Sequence, residues 1–155
     1  TPDGQEILFI GCPDGKKCKE KDHEIFSIPA NSRKTKEAKR LTNDKDSAND
    51  VYVSPDGKRI AWLRVKSFVP QALETFHGDY SKEKGITNIR ACKGGLTNWM
   101  LDSSSLLVNI TSTGKLFGIS QMSLDCKIFK DLSPKEKFDK GLNYMFPTFV
   151  TFAKS

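Results

Sequence analysis

Apolar residues in this chain come in short, uninterrupted bursts separated by polar spacers. "EILFIG" (Glu6–Gly11), "RIAWLRV" (Arg59–Val65) and "SLLVNI" (Ser105–Ile110) carry Ile7 to Ile10, Ile60 to Leu63 and Leu106 to Val108 with no polar break. A strand with one wet face alternates apolar and polar residues; runs of this length and kind predict strands covered on both faces. A parallel α/β sheet would cover its strands, but its crossovers need amphipathic helices. The spacers here are rich in Lys, Asn, Ser and Gly, and "KTKEAKRL" (Lys34–Leu41) is the only weak helical candidate. The pattern therefore predicts antiparallel sheets stacked face to face.

Turn chemistry supports this. In "VYVSPDGKRIAWLRV" (Val51–Val65), Pro55 presets φ for a turn, Asp56 tolerates the next position, and Gly57 supplies a left-handed residue. The flanking runs have strand composition, so a β-hairpin is predicted, with a three-residue bulged loop. The chain opens on the same phrase, "TPDGQEILFIG", with Pro2, Asp3 and Gly4, and Ser54 stands 53 positions after Thr1. Further strand-like runs follow in a regular order: "HEIFSIPA" (His23–Ala30), "KRLTND" (Lys39–Asp44), "GITNIRACKGGLTN" (Gly85–Asn98), "GKLFGISQM" (Gly114–Met122), "KIFKDLSP" (Lys127–Pro134) and "LNYMFPTFV" (Leu142–Val150). The expected unit is a hairpin, a third strand and a short fourth, repeated with a period near ~50 residues, as repeat architectures do. About three units, near 1–53, 54–100 and 101–150, fill one domain spanning 1–155.

"SPDGKRIAWL" preceded by "KRLTND" resembles the repeat of TolB-like β-propellers, also found in propellers of the dipeptidyl-peptidase and prolyl-oligopeptidase type. The second unit matches at Leu41, Thr42, Tyr52, Ser54, Pro55, Asp56, Gly57 and Lys58; the first matches from Thr1 through Gly4. The third keeps Leu96, Thr97 and Trp99, but "LDSSS" has lost the Pro and the Gly. The resemblance implies an all-β fold of four-stranded antiparallel blades packed radially. Closed propellers typically have about four to eight blades, so about three blades imply an incomplete ring. The start within a turn and the spare run at 142–150 are expected to reflect part of a longer chain, a pairing of two chains, or a self-closed arrangement.

Composition narrows the function only a little. Net charge is +6, but the basic clusters at 14–23, 31–40 and 133–140 all contain Asp or Glu and lack interleaved aromatics. They are expected to be solvated loops rather than a nucleic-acid platform. No apolar run reaches the ~18 residues of a membrane span. Cys12 and Cys18 flank "PDGKK", a turn that would bring them together, and Cys92 with Cys126 follows by elimination. Two such disulfides predict an extracytoplasmic location; the alternative is four reduced, partly buried thiols.

Candidate chemistry is sparse. There is no GxSxG, His23 sits in a charged loop, and His77 with Asp79 is expected to be a surface pair rather than an acid–base couple. Asp3, Asp14 and Asp56 suit hard cations, but Asp in such turns usually caps its own backbone. Asn109–Thr111 is a glycosylation sequon in a strand expected to be buried. The insert "KSFVPQALETFHGDYSKEKG" (Lys66–Gly85) is expected to be a long rim loop, with Phe68, Phe76, His77 and Tyr80 as a partner-binding surface. The expectation is thus a non-catalytic protein-binding or assembly module without cofactor or metal. It would act on a protein partner or on its own copies through open blade edges. The alternative is the substrate-gating propeller of a serine peptidase, and a carbohydrate-binding propeller is a weaker third.

Overall fold

The computed structural model describes residues 1–13, 18–19, 22–43, 48–65, 73–110 and 118–132. Their strands form three antiparallel meanders. The first contains β1 (Glu6–Gly11), β2 (Glu24–Pro29) and β3 (Lys39–Arg40). The second contains β4 (Ala48–Val53), β5 (Arg59–Val65), β6 (Leu73–Ser81) and β7 (Gly85–Lys93). The third contains β8 (Gly95–Trp99), β9 (Ser105–Ile110), β10 (Gly118–Ser123) and β11 (Ile128–Asp131). "KTKEAKRL" makes one 3-10 turn at Thr35–Glu37 and then enters β3. Counted by sheets, the divisions fall at 41–47 and at Gly94. In the second and third sheets the strand before the turn, β4 or β8, belongs to the same sheet as the strands that follow it.

The middle strand of the second sheet explains the uninterrupted apolar runs. Ile60, Ala61, Trp62 and Leu63 are all buried. Ile60 and Trp62 join Ile25, Ala48 and Tyr80 in the core towards the first sheet. Ala61 and Leu63 join Leu96, Trp99, Leu106, Val108 and Met122 in the core towards the third. Successive side chains alternate between faces, so an all-apolar strand feeds two cores at once. By contrast β1 is covered less: Ile7 is 51% exposed, and Leu8 to Ile10 are half-buried.

The turns are built alike. Gly57 N–H donates to the Ser54 carbonyl at 2.8 Å, and Ser54 N–H to the Arg59 carbonyl at 2.9 Å. Pro55–Lys58 thus form a loop one residue longer than the bulged three-residue loop the sequence suggests. Ser54 Oγ donates to Asp56 Oδ1 at 2.6 Å, and the same carboxylate oxygen accepts Lys58 N–H at 3.0 Å. Thr1 and Asp3 repeat this pattern with Gln5. In the third sheet Met100–Ser105 does so without Pro or Gly: Ser103 takes the left-handed position at φ 60°, and Asp102 accepts Ser104 N–H. The β10–β11 turn is the shorter form, Ser123 to Lys127, with Cys126 in the left-handed position at φ 67°.

These turns also touch their neighbours. Asp56 N–H donates to Ser103 Oγ at 3.0 Å, and Gly57 lies against the Pro2 ring. The Leu-Thr pair before the second hairpin has an equally local cause. Thr42 Oγ1 accepts the buried Ile25 N–H at 2.9 Å and donates to Glu24 Oε2 at 2.5 Å. Glu24 is only 2% exposed and is neutralised by Arg40 at 2.7 Å.

Candidate functional site

The described part of the expected rim loop, from Leu73 on, is largely a strand. Residues 73–81 form β6, paired along its length with β5 and β7. Phe76, His77 and Tyr80 therefore do not share a binding surface; Phe68 lies outside the described residues. Phe76 and Tyr80 face the first sheet, with Phe76 stacked on Trp62 at 5.6 Å and capped by the Arg64 guanidinium at 4.0 Å. His77 stands opposite Ala61 and faces the third sheet. The stretch reads as a loop because His77, Gly78 and Asp79 break its apolar pattern, yet the covering sheet buries the polar Thr75 and His77 too.

Two joints result, one on each side of the second sheet. At the first, Tyr80 Oη donates to Glu6 Oε2 at 2.8 Å, and both residues are 9% exposed. Burial, reinforced by the Glu6 carboxylate, pushes the Tyr80 hydroxyl up to about 12. A cleft of about 240 Å³ opens beside them, lined by Asp3, Gln5, Asp56, Gly57 and Lys82 among others. Asp3 and Asp56 are committed to their own turns, and those hydrogen bonds hold both carboxylates below their usual range. Asp14 lies outside the described residues.

The second joint lies between the second and third sheets. A shallow cleft of about 320 Å³ is lined by Arg59, His77, Asp79, Asn88, Arg90 and Asp125. Asp79 pairs with Arg59 at 3.5 Å and accepts Asn88 Nδ2 at 2.7 Å. Asn88, at φ 53°, is the extra residue region of a bulge opposite Gly78. His77 is 6% exposed, and burial pushes its imidazole below its ordinary 6.5. Its Nε2 is buried and finds no hydrogen-bond partner among the described residues. The Cys92–Cys126 disulfide closes this joint and Cys12–Cys18 closes a loop of the first sheet. His23 is half-buried, beside the second of these bridges.

An exposed feature that sequence reasoning did not single out lies at the end of the third sheet. β11 pairs only with β10 among the described strands. Ile128 is 44% exposed, Leu132 is 37% exposed, and Phe129, the extra residue of a bulge, is 58% exposed. Asn109 is half-buried in β9, between β8 and β10.

Meandering antiparallel blades packed face to face define a TolB-like β-propeller fold, of which these sheets are a part. Three solved structures share it. TolB from Acinetobacter baumannii superposes with a TM-score of 0.56 at 19% identity, over 86% of this chain and 31% of that one. The β-propeller domain of the Trilobed protease from Pyrococcus furiosus gives 0.55 at 16% identity, over 84% and 40%. A putative TolB from Agrobacterium tumefaciens gives 0.54 at 13% identity, over 86% and 48%. The chain thus spans less than half the length of each. No family model and no curated protein matches the sequence. No described helix is long and apolar enough to cross a membrane.

Proposed function

We propose that this chain is a non-catalytic protein-binding module of an extracytoplasmic protein, engaging a partner polypeptide along β11 of its third blade. The observation that carries this reading is β11, which pairs only with β10 among the described strands and leaves Ile128 and Phe129, with Leu132 just after them, exposed. End strands normally carry charge or cover, because their free backbone groups recruit another strand. An extended partner segment laid beside Ile128 and Phe129 would bury their exposed apolar side chains. Two disulfides support an oxidising compartment.

The test places a photo-crosslinking residue at Lys130, with Lys58 on an exposed turn as the control position. A discrete adduct from position 130, abolished by Phe129→Asp, is the expected result. An adduct between two copies identifies self-association as the use of this strand. Equal labelling from both positions, or none, defeats the proposal. Likeness to the protease propeller favours one competing reading, a substrate-gating portion of a larger peptidase. Adducts from position 130 into a peptidase domain of the same polypeptide would establish that reading instead.

A further inference from the structure

The second joint brings three soft donors together from two sheets. His77 on β6 and Cys92 on β7 face the third sheet, and Cys126 reaches them from the β10–β11 turn. One ring nitrogen of His77 and both sulfurs lie within 4.8 Å of one another. Tetrahedral zinc, with Zn–S near ~2.3 Å and Zn–N near ~2.0 Å, needs its donors roughly 3.5–3.8 Å apart. Small side-chain shifts would therefore suffice once the sulfurs are free. Independently, His77 is 6% exposed and its Nε2 finds no partner among the described residues, an unusual state for a buried nitrogen in a strand paired on both sides.

We propose that reduction of Cys92–Cys126 converts this joint into a Cys2His site for zinc. A dithiol reductant supplies the two electrons. Its thiolate attacks the half-buried Cys126 sulfur, and Cys92 leaves as a thiolate. The reductant's second thiol then resolves the mixed disulfide, releasing Cys126 and leaving the reductant as a cyclic disulfide. Two cysteine thiols result, and zinc displaces their two protons. Two thiolates and a neutral imidazole balance the charge of Zn²⁺, which suits a buried place, and water takes the fourth position. The joint is then held by a metal in reducing conditions and by a covalent bond in oxidising ones. Cys12, Cys18 and His23 offer the same donor types, but they are only half-buried, and among the described residues no orphaned nitrogen points to a ligand there.

The experiment uses the full chain carrying Cys12→Ser and Cys18→Ser, so that the other donor set is removed. It is reduced with a phosphine, which leaves no competing thiol, and titrated with Co²⁺ as the spectroscopic probe. One equivalent should give tetrahedral visible bands and a thiolate-to-cobalt charge-transfer band, both removed by Zn²⁺. The oxidised protein should give neither. His77→Gln should weaken binding by more than about 10-fold, at least the loss typical of a supporting residue. Zinc should also raise the thermal midpoint of the reduced chain, as a ligand of the folded state must. Three results would overturn the proposal: an octahedral spectrum, affinity unchanged by His77→Gln, or a reduced chain that loses its strand circular dichroism and does not regain it with zinc.

Discussion

Replacing Thr42 with Val keeps the shape of the side chain and removes only its hydroxyl. That hydroxyl serves two buried groups at once, accepting Ile25 N–H and donating to the Glu24 carboxylate. Ile25 is 0% exposed, so water cannot replace the lost acceptor. An orphaned buried donor costs about 1–3 kcal/mol, and a lost hydrogen bond to a charged group about 1.5–3 kcal/mol. The two losses share one atom and Glu24 keeps Arg40, so they do not add fully; about 2–4 kcal/mol is expected. In a chain of this size that lowers the thermal midpoint by roughly 5–15 °C. Urea unfolding should show an earlier midpoint with an unchanged slope. Thr42→Ser, which keeps the hydroxyl and deletes one methyl, should cost only ~1 kcal/mol. If Val proves no worse than Ser, the hydroxyl is not what holds the first sheet to the approach of the second, and the account of the Leu-Thr motif fails.

Gly78→Ala should destabilise by about 1–3 kcal/mol in urea, because its Cβ would stand 2.7 Å from the Thr87 carbonyl oxygen and 2.8 Å from Ile86 Cγ2. Tyr80 binds its proton more tightly folded than unfolded, so stability is full below pH 10 and falls as pH rises from 10 towards about 12. Tyr80→Phe should flatten that part of a pH–stability curve, measured by chemical denaturation, and a parallel curve would refute the linkage. Replacing Cys92 and Cys126 together by Ser opens a 34-residue separation and should cost roughly 4 kcal/mol, against roughly 2 kcal/mol for the 6-residue separation of Cys12 and Cys18. Equal losses in unfolding would show that loop closure does not set their contributions.

The architecture was legible where chemistry is local. Pro55, Asp56 and Gly57 specify their turn by backbone preference alone, and the unbroken run Ile60–Leu63 announced two covered faces. The Met100–Ser105 turn was harder, since the pattern of hydrogen bonds survives there after both signature residues are gone. Ser103 accepts a left-handed backbone while its hydroxyl ties down Asp56 of the neighbouring turn. Strand β6 was hidden for a tertiary reason. Thr75 and His77 are polar, yet the third sheet covers them, and Thr75 Oγ1 finds the Gly94 carbonyl at 2.8 Å. Ser123-Leu124-Asp125-Cys126-Lys127 is a spaced echo of the Ser-Pro-Asp-Gly-Lys phrase, and its Ser and Asp were available as a signal for the last turn. The juxtaposition of His77 with the disulfide depends on how two sheets meet, which no single stretch of chain records.

The alternation of faces along β5 has a consequence for how the molecule comes apart. Its Trp62 and Leu63 belong to different cores, so the second sheet is a shared wall and each outer sheet leans on it. Stability in such a stack is close to a sum over nearest neighbours, as in a one-dimensional chain of coupled switches. Among the described sheets, β1, thinly covered, is then expected to open most often, while the amides of β5 open only when both neighbours have let go. Hydrogen exchange would trace this as a gradient of protection across the sheets, with its summit at Trp62.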